Sequence, residues 1–140
     1  MLEGNQAAYF AERQKGHLPG ELAIEWDVVE TGYAKGRFSV QRKHMAPNGY
    51  MHAAAAVALA DSCCGLGCMR ARPEGAVGFT TIELKTNFLG TAKVGDLVAC
   101  EARLVHGGRT TQVWDAEVRV DGGKVIALFR CTQMILYPKG

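Results

Sequence analysis

Alternation of hydrophobic and polar residues, interrupted by one continuous apolar run, predicts most elements of the chain. Apolar residues alternate with polar or small ones over residues 22–40, and Thr31 with Gly32 breaks the pattern, so this segment predicts a β-hairpin. Four later segments are alternating or β-branched, are separated by Gly-containing turns and predict long strands: residues 77–89, 96–105, 110–120 and 124–136.

The continuous apolar run covers residues 53–69 and contains only Ala, Val, Leu, Cys, Gly and Met apart from Asp61 and Ser62. Because it is apolar on every side, it predicts a buried helix, which should end where Pro73 and Gly75 stop continuation. A membrane span is disfavoured, since the run is at the short limit for a bilayer, is rich in Ala and Gly and carries its charge at the centre.

A short N-terminal helix is predicted over residues 5–15, with Asn5 available as its cap. Its inner side would hold Ala8, Phe10 and Ala11. A chain of 140 residues suits one domain, so we expect a single domain over residues 1–140 with a helical appendage at residues 1–20.

The order of the predicted elements is two strands, one long buried helix and four long strands. Strands and helices that are segregated in this way indicate an α+β fold with an antiparallel sheet. A sheet wrapped around one long central helix is the simplest arrangement that buries the apolar run. This arrangement resembles the hot-dog fold.

Composition and charge narrow the classes of partner. The chain has 48% hydrophobic and 21% charged residues, which is ordinary for a soluble globular protein. Lys and Arg total 16 against 14 for Asp and Glu, and no basic block is present, so a nucleic-acid partner is disfavoured. The N-terminal residues do not resemble a secretory signal, and we expect a cytoplasmic location with no membrane partner.

Five cysteines raise the question of a metal or redox site. Cys63, Cys64 and Cys68 are clustered but form no Cys-x-x-Cys motif, and adjacent residues of a helix point about 100° apart, so they do not converge on one metal. We therefore expect no metal site and reduced thiols buried as small hydrophobic residues.

Asp61 is the candidate catalytic group, because an ionised carboxylate in an apolar helix is costly unless it is paired, exposed through a cleft or used in chemistry. Hydrolysis at a carbonyl group can use a carboxylate that attacks the carbonyl carbon or activates water, and donors aimed at the developing oxyanion. The start of the helix offers free N–H groups and the positive end of the helix dipole, so Ala53 and its neighbours form a candidate oxyanion site.

The spacing between His52 and Asp61 predicts an oligomer. Nine helical steps give a rise of roughly 13.5 Å and place the two side chains on opposite faces. They cannot meet at one carbonyl group within one chain. If both the helix start and Asp61 act, the helix start of one subunit must face Asp61 of another, which predicts a homodimer with two composite sites.

Specific residues also resemble a known family. The segment Asn48-Gly49-Tyr50-Met51-His52-Ala53-Ala54 and then Leu59-Ala60-Asp61 resembles the loop and helix of hot-dog acyl-CoA thioesterases of the phenylacetate-degradation (PaaI-like) type. That family typically has His-Gly-Gly at the helix start and an acidic residue nine positions after the His. Two positions depart from it: Ala53 and Ala54 replace the glycines, and Asn48 lies four residues before His52 rather than about six.

The resemblance implies an acyl-CoA thioesterase that hydrolyses an aryl- or medium-chain acyl-CoA to the free acid and coenzyme A. It implies a dimer, frequently paired into a homotetramer, and no resident cofactor, since coenzyme A is part of the substrate. Asp61 would be general base or nucleophile, and the N–H of Ala53 would bind the oxyanion. Thr81 would assist the carboxylate, and Asn48 is a candidate contact. His52 is either a general base or, in the family pattern, a structural residue.

Two further sets of residues are candidates for substrate contacts. Cations that could bind the phosphates of coenzyme A are Arg109, Arg70 and Arg72. Aromatic residues that could shape an acyl pocket are Trp26, Tyr50, Phe79 and Phe88. Two other functions stay open: a noncatalytic acyl-CoA-binding module, and a hot-dog hydratase or dehydratase, which usually needs a catalytic His near its acid.

Overall fold

Six antiparallel strands form one sheet around a long helix in the structure, a computed structural model that describes residues 3–140. The elements are, in order, α1 (Ala7–Arg13), α2 (Leu18–Glu21), β1 (Glu25–Glu30), β2 (Tyr33–Ser39), α3 (Ala53–Arg70), β3 (Gly78–Phe88), β4 (Leu97–Gly107), β5 (Thr111–Val120) and β6 (Val125–Leu136). The strand order is β1-β2-β4-β5-β6-β3. The predicted α+β class and hot-dog fold are confirmed.

The core lies between α3 and the face of the sheet that curves around it. Leu59, Cys63 and Cys64 of α3 are fully buried, as are Val98 of β4 and Trp114 of β5. By length and apolar composition α3 could cross a membrane, but half of it is buried inside the fold, as expected for a core helix. The sheet covers only one side of α3, and residues on the other side of the helix are therefore only half-buried.

Small residues in α3 allow aromatic rings of the sheet to reach the helix axis. A Cβ atom at Gly67 would lie 2.5 Å from the ring of Trp114, and one at Gly65 would lie 2.8 Å from the ring of Phe79. These distances are shorter than real Cβ contacts, so a larger residue at either position would force the aromatic ring to move. The Phe79 contact brings an aromatic ring close to the middle of α3, one turn beyond Asp61.

The N-terminal helix is shorter than the predicted residues 5–15 at both ends: it spans Ala7–Arg13 with Gln6 as its N-cap, and Asn5 lies outside the helix, where it bonds to β1. Its side-chain amide donates to the carbonyl oxygen of Asp27, and its Oδ1 accepts the backbone N–H groups of Val29 and Ala7. Phe10 is buried as predicted. Ala8 is exposed, so the prediction that it faces inward is wrong. The short helix α2 was not predicted, because its four residues are too few to show a helical period.

The loop before α3 is held by a buried histidine. His44 is 1% exposed, stacks on Phe38, and its Nε2 lies 2.7 Å from the carbonyl oxygen of Leu22. The carbonyl oxygen of His44 accepts the backbone N–H of His52 at 2.8 Å. These contacts fix the position at which α3 begins.

Strand β3 lies at one edge of the sheet and pairs only with β6 among the described residues. Leu84 and Phe88 face the helix side of the sheet, since their cross-strand partners Cys131 and Ala127 are buried there. Nevertheless Leu84 is 42% exposed and Phe88 is 49% exposed. The edge that carries Thr81 therefore has unpaired backbone groups and uncovered apolar side chains.

Candidate active site

The carboxylate of Asp61 lies where α3 faces the edge strand β3. Thr81 Oγ1 is 2.9 Å from Asp61 Oδ1, so its hydroxyl can donate to the carboxylate. The pairing of β3 with β6 shifts register between Thr81 and Glu83, which marks a β-bulge beside this contact. Bulges often re-aim a side chain next to a functional site. The structure thus brings together two of the residues that the sequence singled out.

Burial raises the pKa of the Asp61 carboxyl above its usual value, and the hydrogen bond from Thr81 opposes part of that rise. Burial acts in this direction because it disfavours the charged form, whereas a donated hydrogen bond favours it. A carboxylate with a raised pKa is a stronger base. It therefore gains in ability to take a proton from water, as a general base must.

The first turn of α3 has one backbone N–H that is satisfied and one that is free. His52 is the N-cap of α3, and its Nδ1 accepts the backbone N–H of Ala54 at 2.9 Å. The backbone N–H of Ala53 has no hydrogen-bond acceptor among residues 3–140, and Ala53 is exposed. His52 therefore satisfies one donor of the first turn and leaves the N–H of Ala53 free for a ligand.

The two halves of the candidate site face separate cavities of one chain. Asp61 lines a cavity of about 260 Å³, whereas His52 and Ala54 line a different cavity of about 300 Å³ beside the loop that precedes α3. Ala53 and Asp61 are eight residues apart, a rise of roughly 12 Å along the helix. One chain does not place the Ala53 N–H and the Asp61 carboxylate at one carbonyl group, as their spacing predicted.

The cavity beside Asp61 has apolar and aromatic walls. Residues that line it include Gln14, Pro19, Trp26, Ser62, Leu66 and Phe79. The indole N–H of Trp26 donates to Oε1 of Gln14 at 2.6 Å, and the ring lies over Gly36, where a Cβ would be 2.5 Å from a ring carbon. The indole ring is thus held from two sides. Hydrophobic periodicity gave no signal for Gln14, Ser62 or Leu66, because a cavity wall is built from elements far apart in sequence.

The other predicted aromatic residues and Asn48 lie elsewhere. Tyr50 is 57% exposed in the loop before α3, and Phe88 is 49% exposed near the end of β3. Asn48 is exposed in that loop, and its Oδ1 accepts the backbone N–H of Tyr50 at 3.2 Å. In this chain the Asn48 side chain stabilises its own turn.

The three arginines proposed for phosphate contacts lie at two places. Arg70 and Arg72, at the end of α3, line a cavity of about 160 Å³, and Arg72 donates to the carbonyl oxygen of Met69 at 2.8 Å. The exposed Arg109 lies over the ring of Tyr137 at 5.8 Å. None of them contacts Asp61 within the part of the chain that the structure describes.

All five cysteines are free and buried, as expected from the sequence. Among the described residues, no three His, Cys, Asp or Glu side chains are grouped as metal ligands would be.

Comparison with known proteins identifies the family. The family model of the Thioesterase superfamily matches residues 48–127, which include the loop before α3, all of α3 and four of the strands in whole or part. The chain belongs to this superfamily and is a hydrolase of the thioesterase class.

Individual relatives are similar to this chain in sequence and in structure. A 1,4-dihydroxy-2-naphthoyl-CoA hydrolase of Listeria monocytogenes is 31% identical over 115 residues, covering 82% of this chain and 92% of the relative. A thioesterase structure from Pseudomonas aeruginosa has a TM-score of 0.86 at 25% identity and covers 93% of each chain. The PaaI protein of the E. coli phenylacetic acid degradation operon has the same fold, with a TM-score of 0.82, 22% identity and coverage of 94% of this chain and 91% of PaaI.

Proposed function

We propose that this protein is an acyl-CoA thioesterase that hydrolyses an aryl- or medium-chain acyl-CoA to the free acid and coenzyme A. The observation that carries the proposal is Asp61, a partly buried carboxylate that accepts a hydrogen bond from Thr81 beside an aromatic-walled cavity. Burial raises its pKa, which suits a group that must take and return a proton.

Two routes use the same carboxylate. As a general base, Asp61 removes a proton from water while the water oxygen bonds to the thioester carbon, and the proton then reaches the leaving thiolate of coenzyme A. As a nucleophile, Asp61 itself bonds to that carbon, expels the thiolate and forms an anhydride that water hydrolyses. In both routes the carbonyl oxygen becomes negative and needs a backbone N–H donor.

We propose that this donor is the N–H of Ala53 of the partner subunit. The exposed apolar side chains Leu84 and Phe88 at the edge of β3 support this arrangement, because a second copy packed there would cover them. Pairing of two copies about a two-fold axis would set their α3 helices antiparallel, so that each helix start faces Asp61 of the other chain. We also propose that two such dimers pair into a tetramer.

An aryl acyl group suits the cavity beside Asp61. Trp26 and Phe79 offer flat apolar surfaces, and the bond to Gln14 keeps the indole ring in one orientation. The Listeria relative is a hydrolase of an aromatic acyl-CoA. The preference therefore rests on the walls of this cavity, and substitution at Phe79 should change it.

A panel of aryl- and alkyl-CoA thioesters with a thiol-reactive dye tests the function. We expect release of free thiol from aryl substrates at a higher kcat/KM than from short alkyl ones. Phe79→Leu should reduce the aryl-to-alkyl ratio about tenfold, since it removes an aromatic contact from the cavity wall. Tyr9→Leu, which changes an aromatic residue outside that cavity, is the matched control and should leave the ratio unchanged.

The same panel, together with an enoyl-CoA whose hydration is followed by the loss of its conjugated absorbance, separates the alternative functions. A protein that binds acyl-CoA but releases no thiol from any member would be a binding module. A protein that adds water to an enoyl-CoA, without releasing thiol, would be a hydratase. An aryl-to-alkyl ratio that Phe79→Leu does not change would contradict the role of this cavity.

A further inference from the structure

The hydroxyl group of Thr81 contacts two acceptor positions. Its Oγ1 is 2.9 Å from Asp61 Oδ1 and 2.8 Å from the side-chain amide of Gln133, at the atom placed as Oε1. A threonine hydroxyl has one proton, so it cannot donate to two oxygens at once. If Gln133 presented its oxygen, an ionised Asp61 would compete with it for that proton.

The second contact of Gln133 identifies the orientation of the amide. Its other terminal atom, placed as Nε2, lies 3.4 Å from Cys131 Sγ, and Gln133 is 0% exposed. In that orientation the two N–H donors of a buried amide have only one weak acceptor between them. A rotation of the amide by 180° exchanges its nitrogen and oxygen, two atoms of similar size, at the same two positions. The nitrogen then faces Thr81, and the oxygen can accept from the thiol of Cys131.

We propose that Gln133 is a positioning residue of the active site: its amide N–H donates to Thr81 Oγ1 and thereby directs the single hydroxyl proton of Thr81 to Asp61. Every buried polar atom in this chain of contacts then has a partner of the correct type. The proposal rests on the proposed function for its catalytic meaning. The hydrogen-bond network itself does not depend on the reaction.

Two thiols extend the same network away from the cavity. Hydrogen bonding to Cys131, together with burial, raises the pKa of the Cys64 thiol well above its usual value, so Cys64 keeps its proton. Cys64 can therefore donate to Cys131, and Cys131 to the oxygen of Gln133. All donors then point toward Asp61, and hydrogen bonds in such a sequence polarise one another.

The groups that titrate near this network are few. On α3 the ionisable side chains are Asp61 and Cys64, and the thiols of Cys131 on β6 and Cys100 on β4 lie close to Cys64. The other elements around the carboxylate present uncharged side chains: Thr81 and Phe79 from β3, Trp26 from β1 and Gln14 from the segment after α1. Within one chain, burial and the hydrogen bond from Thr81 are thus the two effects that shift the pKa of Asp61.

The acid limb of the pH profile of kcat/KM tests the role of Gln133. Thr81→Val should move this limb to higher pH and lower kcat/KM about tenfold below the midpoint, because ionised Asp61 loses its donor. Gln133→Met should move the acid limb in the same direction and lower kcat/KM below the midpoint only a few-fold, since only the orientation and polarisation of the Thr81 hydroxyl change. The double variant should match Thr81→Val alone.

Gln112 supplies the matched control. It is the cross-strand neighbour of Gln133 on β5, is 1% exposed, and bonds to Trp114 and to the carbonyl oxygen of Ala71. Gln112→Met should destabilise the fold comparably without moving the acid limb. A shift to lower pH in Gln133→Met, an additive double variant, or an equal shift in Gln112→Met would each overturn the proposal.

A measurement on the unmodified protein applies even if Gln133→Met does not fold. NMR would follow the carboxyl carbon of Asp61 and the side-chain amide of Gln133 through a pH titration. We expect the amide signals to shift with the midpoint of Asp61, and to stop doing so in Thr81→Val. Amide signals of Gln133 that do not shift as Asp61 ionises would contradict the proposal. Coupled signals in a protein whose Asp61→Asn variant keeps full activity would support the network and reject the proposed function.

Discussion

Asp61→Asn is expected to lower kcat by about a thousandfold or more while the protein stays folded, because both proposed routes need a carboxylate at this position. Asparagine has nearly the same shape and can still contact Thr81, so loss of activity reports loss of the base or nucleophile. Release of thiol from an aryl-CoA under single-turnover conditions measures the effect. Turnover close to that of the wild-type protein would exclude Asp61 from the chemistry.

The same substitution should not reduce stability. The folded-state pKa of Asp61 is raised above its unfolded value, so its favourable contribution is complete at pH below the unfolded pKa and is lost as pH rises through the folded pKa. Asparagine is neutral at every pH. We therefore expect Asp61→Asn to have a Tm equal to or above wild type at neutral pH, with the difference disappearing in acid. Asp115→Asn, at an exposed carboxylate that pairs with Arg130 on the sheet, is the control that should keep full activity.

Ala53→Pro is expected to lower kcat by about a hundredfold to a thousandfold, the usual effect of removing one oxyanion donor. Ala53 is the first helical residue, where proline is well tolerated because that N–H makes no bond within the helix. His52, which would precede the proline, has φ −63° and ψ 135°, a conformation that proline allows in its neighbour. The substitution therefore deletes the free N–H and little else.

Ala53→Gly is the matched control for this prediction. It keeps the N–H and restores the residue type that the family usually carries, so activity should stay within a few-fold of wild type. Unchanged turnover in a folded Ala53→Pro variant would show that another group binds the oxyanion. Circular dichroism and the Tm of both variants establish that α3 is intact.

The fold was predictable because its strongest signal is local. A run of residues 53–69 that is apolar on every side predicts a buried helix, and the alternating segments around it predict the sheet; in one chain the sheet covers one side of that helix. The strand limits agree within two residues for β3 to β6. The N-terminal helix was predicted to start two residues too early because the pairing of Asn5 with β1 involves residues more than 20 positions away, which no local period records.

The site was predictable where one element carries the information. A lone carboxylate in the apolar run gave Asp61, and the free N–H groups of the first turn gave the helix start. The resemblance gave Thr81, which the structure places at hydrogen-bond distance from Asp61. Gln133 could not be found in this way, because a glutamine in an alternating strand looks like an outward-facing residue. The sheet topology turns it inward beside Thr81.

We propose that each active site uses Asp61 of one subunit and the Ala53 N–H of its partner. Co-expression of Asp61→Asn and Ala53→Pro chains with two different affinity tags, followed by purification of the mixed dimer, tests it most directly. Each mixed dimer would contain one intact site and one doubly defective site, so its kcat should be about half that of the wild-type dimer. A mixed dimer that is no more active than its parent variants would contradict a site shared between subunits.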